Sequence, residues 1–167
     1  MNLYQRLGFL VLGSRLRRLS DSFLSEITRV YQQQGIEFEA GWFPVFYLLS
    51  EKGSLSIKEL SEQTEVSHPA ASQLITNLKN KGLVKTTASD DDARKQLVTL
   101  TDKGTELLEH IKPVWQSILS AMDELTTANH DCDNFLPAIS ALESAFQQHS
   151  LSDRVQDHLT EKSAAHE

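Results

Sequence analysis

The sequence predicts a mainly α-helical fold carrying one small β-hairpin. Three observations predict it. Apolar residues recur at helical spacing over most of the chain, the strongest local signals are helix caps, and only residues 83–100 alternate with period two around a polar turn. At 167 residues the chain amounts to about one domain and can bury a core without a metal or disulfide staple.

From Leu3 to Tyr31 the apolar positions Leu7, Leu10, Val11, Leu16, Leu19, Phe23, Leu24, Ile27 and Val30 follow one helical stripe, with Gly35 as its C-cap. This predicts one long amphipathic helix within residues 1–34, of a length that often means packing against a second chain. Gly41 to Lys52 reads as a second helix, with Pro44 in its first turn and Gly53 at its end. Ser56 and Glu59 form an S-x-x-E capping box that opens a short helix reaching about Thr64, with Leu55 placed as a hydrophobic staple. Ser67 caps the next helix, Pro69 sits in its first turn, and Gly82 stops it after Lys81. Two short helices joined by a tight turn are a helix-turn-helix.

Leu83–Thr87 and Lys95–Leu100 read as two strands around the polar turn Ser89–Ala93. A hairpin placed directly after a helix-turn-helix is a wing. Thr101 caps a long helix over about 102–127, and Pro113 predicts a kink or break near Ile111. Asn129–Asp133 is a loop, and Asp133 or Asn134 opens a last helix through Phe146. Past Ser150 the chain turns polar, so residues 151–167 are expected to fray. The organisation is one structural domain: an N-terminal helix (1–34), a winged helix-turn-helix (40–101), C-terminal helices (102–150) and a polar tail.

The formal net charge of −7 argues by itself against a nucleic-acid partner. Its distribution does not. Residues 1–53 carry a net +1, residues 54–101 are balanced, and residues 102–167 carry −8. An anionic partner therefore meets the first two thirds of the chain. The single cysteine, Cys132, cannot form an internal disulfide, which fits a reducing cytoplasm. No apolar run has membrane-spanning length, and Arg15, Arg17 and Arg18 interrupt the apolar start in a way no secretory signal does.

Three stretches between Ala40 and about Glu109 carry a family resemblance. They are L-S-I-K-E-L-S-E-Q-T-E-V-S at 55–67, L-K-N-K-G-L-V at 78–84, and Asp92-x-Arg94 followed by L-V-T-L-T-D-K-G at 97–104. With these the chain resembles the MarR family of bacterial winged-helix transcription regulators. The resemblance implies a homodimer in which the N- and C-terminal helices interlock, with each winged helix set against half of a pseudo-palindromic double-stranded DNA site. It also implies that Arg94 enters the minor groove at the wing tip while Asp92 braces it. Family members often take a small aromatic or anionic effector in a cleft beside the dimer helices, for which Trp42, Phe43, Tyr47 and Trp115 are the aromatic candidates here.

A recognition helix reads base edges from its N-terminal half. Ser67, His68, Ala70, Ser72, Gln73, Thr76 and Asn77 are the candidates. The family often has Arg at the position of Gln73. Gln and Asn bond bidentately to adenine, whereas Arg prefers guanine, so the expected half-site bears adenine. Lys79, Lys81, Lys85 and Lys95 are candidate phosphate contacts.

Other chemistry finds little footing. Cys132 lies between Asp131 and Asp133, which disfavours a reactive thiolate. Glu106 and His110 have an i, i+4 spacing but no further ligand types beside them, so neither metal nor cofactor is expected. No phosphate-binding glycine loop and no nucleophile or metalloprotease motif is present, so no enzyme is expected. The expected function is a dimeric, cytoplasmic DNA-binding regulator, more readily a repressor, because occluding a promoter needs no contact with polymerase. The alternative is a winged-helix protein–protein adaptor without DNA binding, motivated by Asp90–Asp92 in the wing.

Overall fold

The computed structural model describes residues 3–88 and 96–164, with side chains through 161. It divides into two compact units, residues 1–116 and 117–167.

The first unit opens with α1 (Leu3–Leu7), a 3-10 turn at Gly8–Val11, and α2 (Leu12–Gln33). The predicted single helix is therefore interrupted. Gly8 holds φ at +55°, a left-handed conformation that only glycine adopts without strain and that no α-helix contains. The far end of α2 is as predicted. Gly35 sits at φ +67°, its N–H donates to the Gln32 carbonyl at 3.1 Å, and the Ile36 N–H donates to the Tyr31 carbonyl at 2.9 Å. Those two bonds are a Schellman motif, which satisfies carbonyls that the helix end would leave bare.

A 3-10 turn at Ala40–Trp42 leads into α3 (Phe43–Lys52), so the regular helix starts two residues later than the sequence suggests. Then come β1 (Ser54–Ser56), α4 (Ile57–Thr64), α5 (His68–Asn80), β2 (Val84–Ala88) and β3 (Gln96–Leu100). The strands form an antiparallel sheet of order β1-β3-β2, with Leu55 opposite Val98 and Thr86 opposite Val98 on the other side. The sequence reading missed β1. Three residues between a helix end and a capping box carry no local period, and only pairing with β3, more than forty residues away, makes them a strand.

α6 (Asp102–Thr127) runs through Pro113 without the predicted break. Proline removes one intrahelical bond there, and the packing of Ile111, Val114 and Trp115, all buried, outweighs that loss. The core of the first unit joins Phe46, Leu60, Ile75, Leu78, Val98 and Ile111, each almost fully buried.

The second unit holds the end of α6, a 3-10 turn at His130–Cys132, α7 (Phe135–Gln148) and α8 (Leu151–Ala164). The expectation of fraying past Ser150 is corrected by α8. Ser150 caps it: its hydroxyl accepts from the Asp153 N–H at 3.2 Å and lies 2.7 Å from the Asp153 carboxylate. No side chain described between 117 and 161 is buried.

Candidate nucleic-acid interface

The helix-turn-helix is built by its caps. The Ser56 hydroxyl accepts from the Glu59 N–H at 3.2 Å, and the Glu59 carboxylate accepts from the Ser56 N–H at 2.8 Å, so both halves of the predicted capping box are made. α4 ends on Glu65 in the left-handed region at φ 55°. Ser67 accepts from the Ala70 N–H at 3.4 Å and starts α5, with Pro69 in its first turn. Gly82, at φ +71°, ends it: its N–H donates to the Lys79 carbonyl at 2.9 Å, and the Leu83 N–H donates to the Leu78 carbonyl at 2.9 Å.

α5 buries Ala71, Ile75 and Leu78 on one face. The opposite face carries Pro69, Gln73, Thr76 and Asn80, all exposed and all within about 60° of helical arc. Asn77, Ala70 and His68 are exposed on its flanks, and Ser72 is half-buried. The Thr76 hydroxyl donates back to the Ser72 carbonyl at 2.9 Å. The sequence reading put Asn80 on the surface without assigning it to this stripe. The i, i+4, i+7, i+11 spacing from Pro69 through Gln73 and Thr76 is the signal that finds it.

The candidate phosphate-binding lysines separate. Lys85 on β2 is exposed. Lys79 donates to the Thr86 hydroxyl at 3.1 Å, tying α5 to the wing strand. Lys81 lies 3.9 Å from the Glu39 carboxylate and 5.2 Å from the centre of the Trp42 ring. Arg94, the Asp92 expected to brace it, and Lys95 lie outside the described residues.

The aromatic candidates also separate. Trp42 is a core residue, packed against Phe38 at 5.6 Å between ring centres. Phe43 is partly exposed, stacks on Tyr47 at 5.7 Å and meets Trp115 edge-on at 4.9 Å. Tyr47 and Trp115 line a groove of about 450 Å³ together with Ser50 and Glu51 of α3 and Glu109, Lys112, Pro113 and Gln116 of α6. Among the described residues no three His, Cys, Asp or Glu side chains gather as metal ligands, and no helix is long and apolar enough to cross a membrane.

Residues 34–95, which hold the helix-turn-helix and the start of the wing, match the model of the MarR family. The likeness to that family rests on this segment, a little over a third of the chain. Among curated proteins, the MarR segment is similar to the HTH-type transcriptional regulator FarR of Neisseria gonorrhoeae, 28% identical over 81 residues. That match covers 48% of this chain and 56% of FarR, so the chain spans just over half the length of that relative. The MarR fold is shared with the DNA complex of S. aureus MepR, with a TM-score of 0.68 at 15% identity over 81% of this chain and 97% of that one. A structure of Bordetella bronchiseptica BpsR, solved for the regulation of its DNA binding by 6-hydroxynicotinic acid, is 27% identical. Its TM-score is 0.54, over 65% of this chain and 76% of that one.

Proposed function

We propose that this chain is a DNA-binding transcription regulator that acts as a homodimer on a pseudo-palindromic operator, with repression as the favoured sign. The observation that carries the proposal is the polar stripe of α5. In a MarR-family helix-turn-helix, Gln73, Thr76 and Asn80 stand directly opposite the buried face, where a major-groove helix presents its reading side chains. His68, Ala70 and Asn77 flank them, and Lys85 supplies charge for a phosphate.

The homodimer is supported by apolar surface. α1, the 3-10 turn after it and α2 expose Leu3, Leu7, Leu10, Leu16, Leu19 and Phe23, and α7 and α8 expose Phe135, Leu136, Phe146, Leu151 and Val155. A second unit with no buried side chain among its described residues has too little packing to hold its helices alone. Two copies related by a two-fold axis would cover such faces and set two recognition helices about one DNA turn apart. A small effector, held beside Tyr47 and Trp115, would act by favouring one spacing of those helices over another. DNA reading places the protein in the cytoplasm.

The test is fluorescence anisotropy on the DNA upstream of the protein's own gene and on unrelated DNA, at several salt concentrations, with Arg94→Ala alongside. Specific binding that weakens steeply with salt and fails in Arg94→Ala is the expected result. No salt-dependent affinity for that DNA or for any fragment from an unbiased genomic selection would overturn it. The adaptor reading, which the three aspartates at 90–92 favour, would then stand.

A further inference from the structure

We propose that the groove between α3 and α6 selects an aromatic or otherwise lipophilic cation and discriminates against organic anions. This rests on the effector reading above and names the ligand class. Three observations carry it.

The first is size. About 450 Å³ lies in the range of pockets that enclose small organic ligands. The second is the wall. Tyr47 and Trp115 meet at 6.2 Å between ring centres with their planes tilted by 53°, so the groove offers two aromatic surfaces at an angle. Trp115 is fixed from behind: its indole N–H donates to Tyr31, and Phe38 and Phe43 contact it edge-on. A fixed ring costs little ordering on binding.

The third is charge. The ionisable lining residues are Glu51, Glu109, Lys112 and Tyr47. Lys112, the one cation among them, lies 3.0 Å from the Glu109 carboxylate and is already paired. Glu51 has no ion-pair partner among the described residues. An anion entering the groove meets an unpaired carboxylate and no free cation. A cation meets that carboxylate, the exposed Tyr47 ring and the part of Trp115 that lines the groove, aromatic groups of the kind that attract quaternary and aromatic ammonium ions.

The test uses a charge-inverted pair of nearly equal shape, tetraphenylphosphonium and tetraphenylborate. Each is titrated into the full chain by calorimetry in a potassium-free sodium buffer without DNA. The expected result is a Kd at least tenfold lower for the phosphonium. Glu51→Gln should reduce that preference severalfold, and Tyr47→Leu should weaken the phosphonium on its own. Both positions are exposed, and an unchanged thermal melt verifies the fold of each variant.

Equal or tighter borate binding, or no binding of either ion, overturns the proposal. So does a phosphonium preference that neither variant changes, since the net charge of −7 alone would then account for it. Because no DNA is present, loss of operator binding has no bearing on this outcome. Phosphonium binding that leaves operator affinity unchanged would sink the effector role and keep the cation site.

Discussion

The indole N–H of Trp115 donates to the Tyr31 hydroxyl at 3.0 Å, joining α6 to the end of α2 across 84 residues of sequence, with both rings buried. Removing the hydroxyl leaves a buried donor unpaired, which costs about 1–3 kcal/mol. Tyr31→Phe should therefore lower the unfolding free energy by that amount, read as a lower urea midpoint at unchanged slope. The double variant Tyr31→Phe, Trp115→Phe should cost less than the sum of the two single changes, because the orphaned donor is gone.

Burial raises the Tyr31 pKa above its ordinary value of 10.0, with the Trp115 hydrogen bond opposing that rise. The folded state thus holds its proton longer than the unfolded chain does. The sign follows: the contribution is fully present below pH 10, where neither state ionises. It falls as pH rises through 10 and toward the folded value, because the unfolded chain releases its proton first. Denaturation midpoints between pH 9 and 11 should fall more steeply for the natural chain than for Tyr31→Phe; identical slopes would contradict the assignment.

Gly104 begins the close approach of α6 to the sheet. A Cβ built there would lie 2.0 Å from the Leu83 carbonyl oxygen, a backbone atom that cannot swing away. Gly104→Ala should destabilise by about 1–3 kcal/mol, the usual cost of overpacking. Thermal denaturation measures this, and Gly41→Ala, which meets open space, is the control.

Lys81 and Lys85 should differ in how they report on salt. Lys81 already faces Glu39 and Trp42, whereas Lys85 is exposed. If Lys85 meets a phosphate, Lys85→Gln reduces the slope of log affinity against log salt by about 1. Lys81→Gln should leave the slope unchanged and cost under about 1 kcal/mol of stability, as an exposed pair does.

Gln73 should confer an adenine preference at one half-site position. Selection from random DNA with Gln73→Ala should relax that position and leave the others. A Gln73→Arg variant should move it toward guanine.

The sequence carried the caps and stops of the winged helix because those are local chemistry. Ser56 with Glu59, Ser67 with Pro69, and Gly35 and Gly82 each state a helix end within a few residues, and each end is where the signal puts it. The positive φ of Gly8 was not legible, since an apolar stripe continues across it and a glycine inside such a stripe reads as tolerated. β1 was hidden because its partner is distant. The cap of α8 was present in Ser150 and Asp153, and polar composition obscured it. At the site, exposure along α5 follows from its period, but the pairing of Lys81 with Glu39 and of Lys112 with Glu109 differs in kind. The second is an i, i+3 helix neighbour, and the first exists only once the chain has folded.

The root of α6 is fastened to the end of α5. The Thr101 hydroxyl donates to the Gly82 carbonyl at 2.6 Å, Lys103 donates to the Lys81 carbonyl at 3.0 Å, and Lys79 holds Thr86 on the wing strand. Those bonds oppose a swivel of α5 by itself. Inheritance can then vary two properties separately. If α5 reads DNA as proposed, substitutions along Pro69, Gln73, Thr76 and Asn80 change which letters are read, and substitutions beyond the fastened block change how far apart the letters lie. A duplicated gene could drift to a new vocabulary without relearning its spacing.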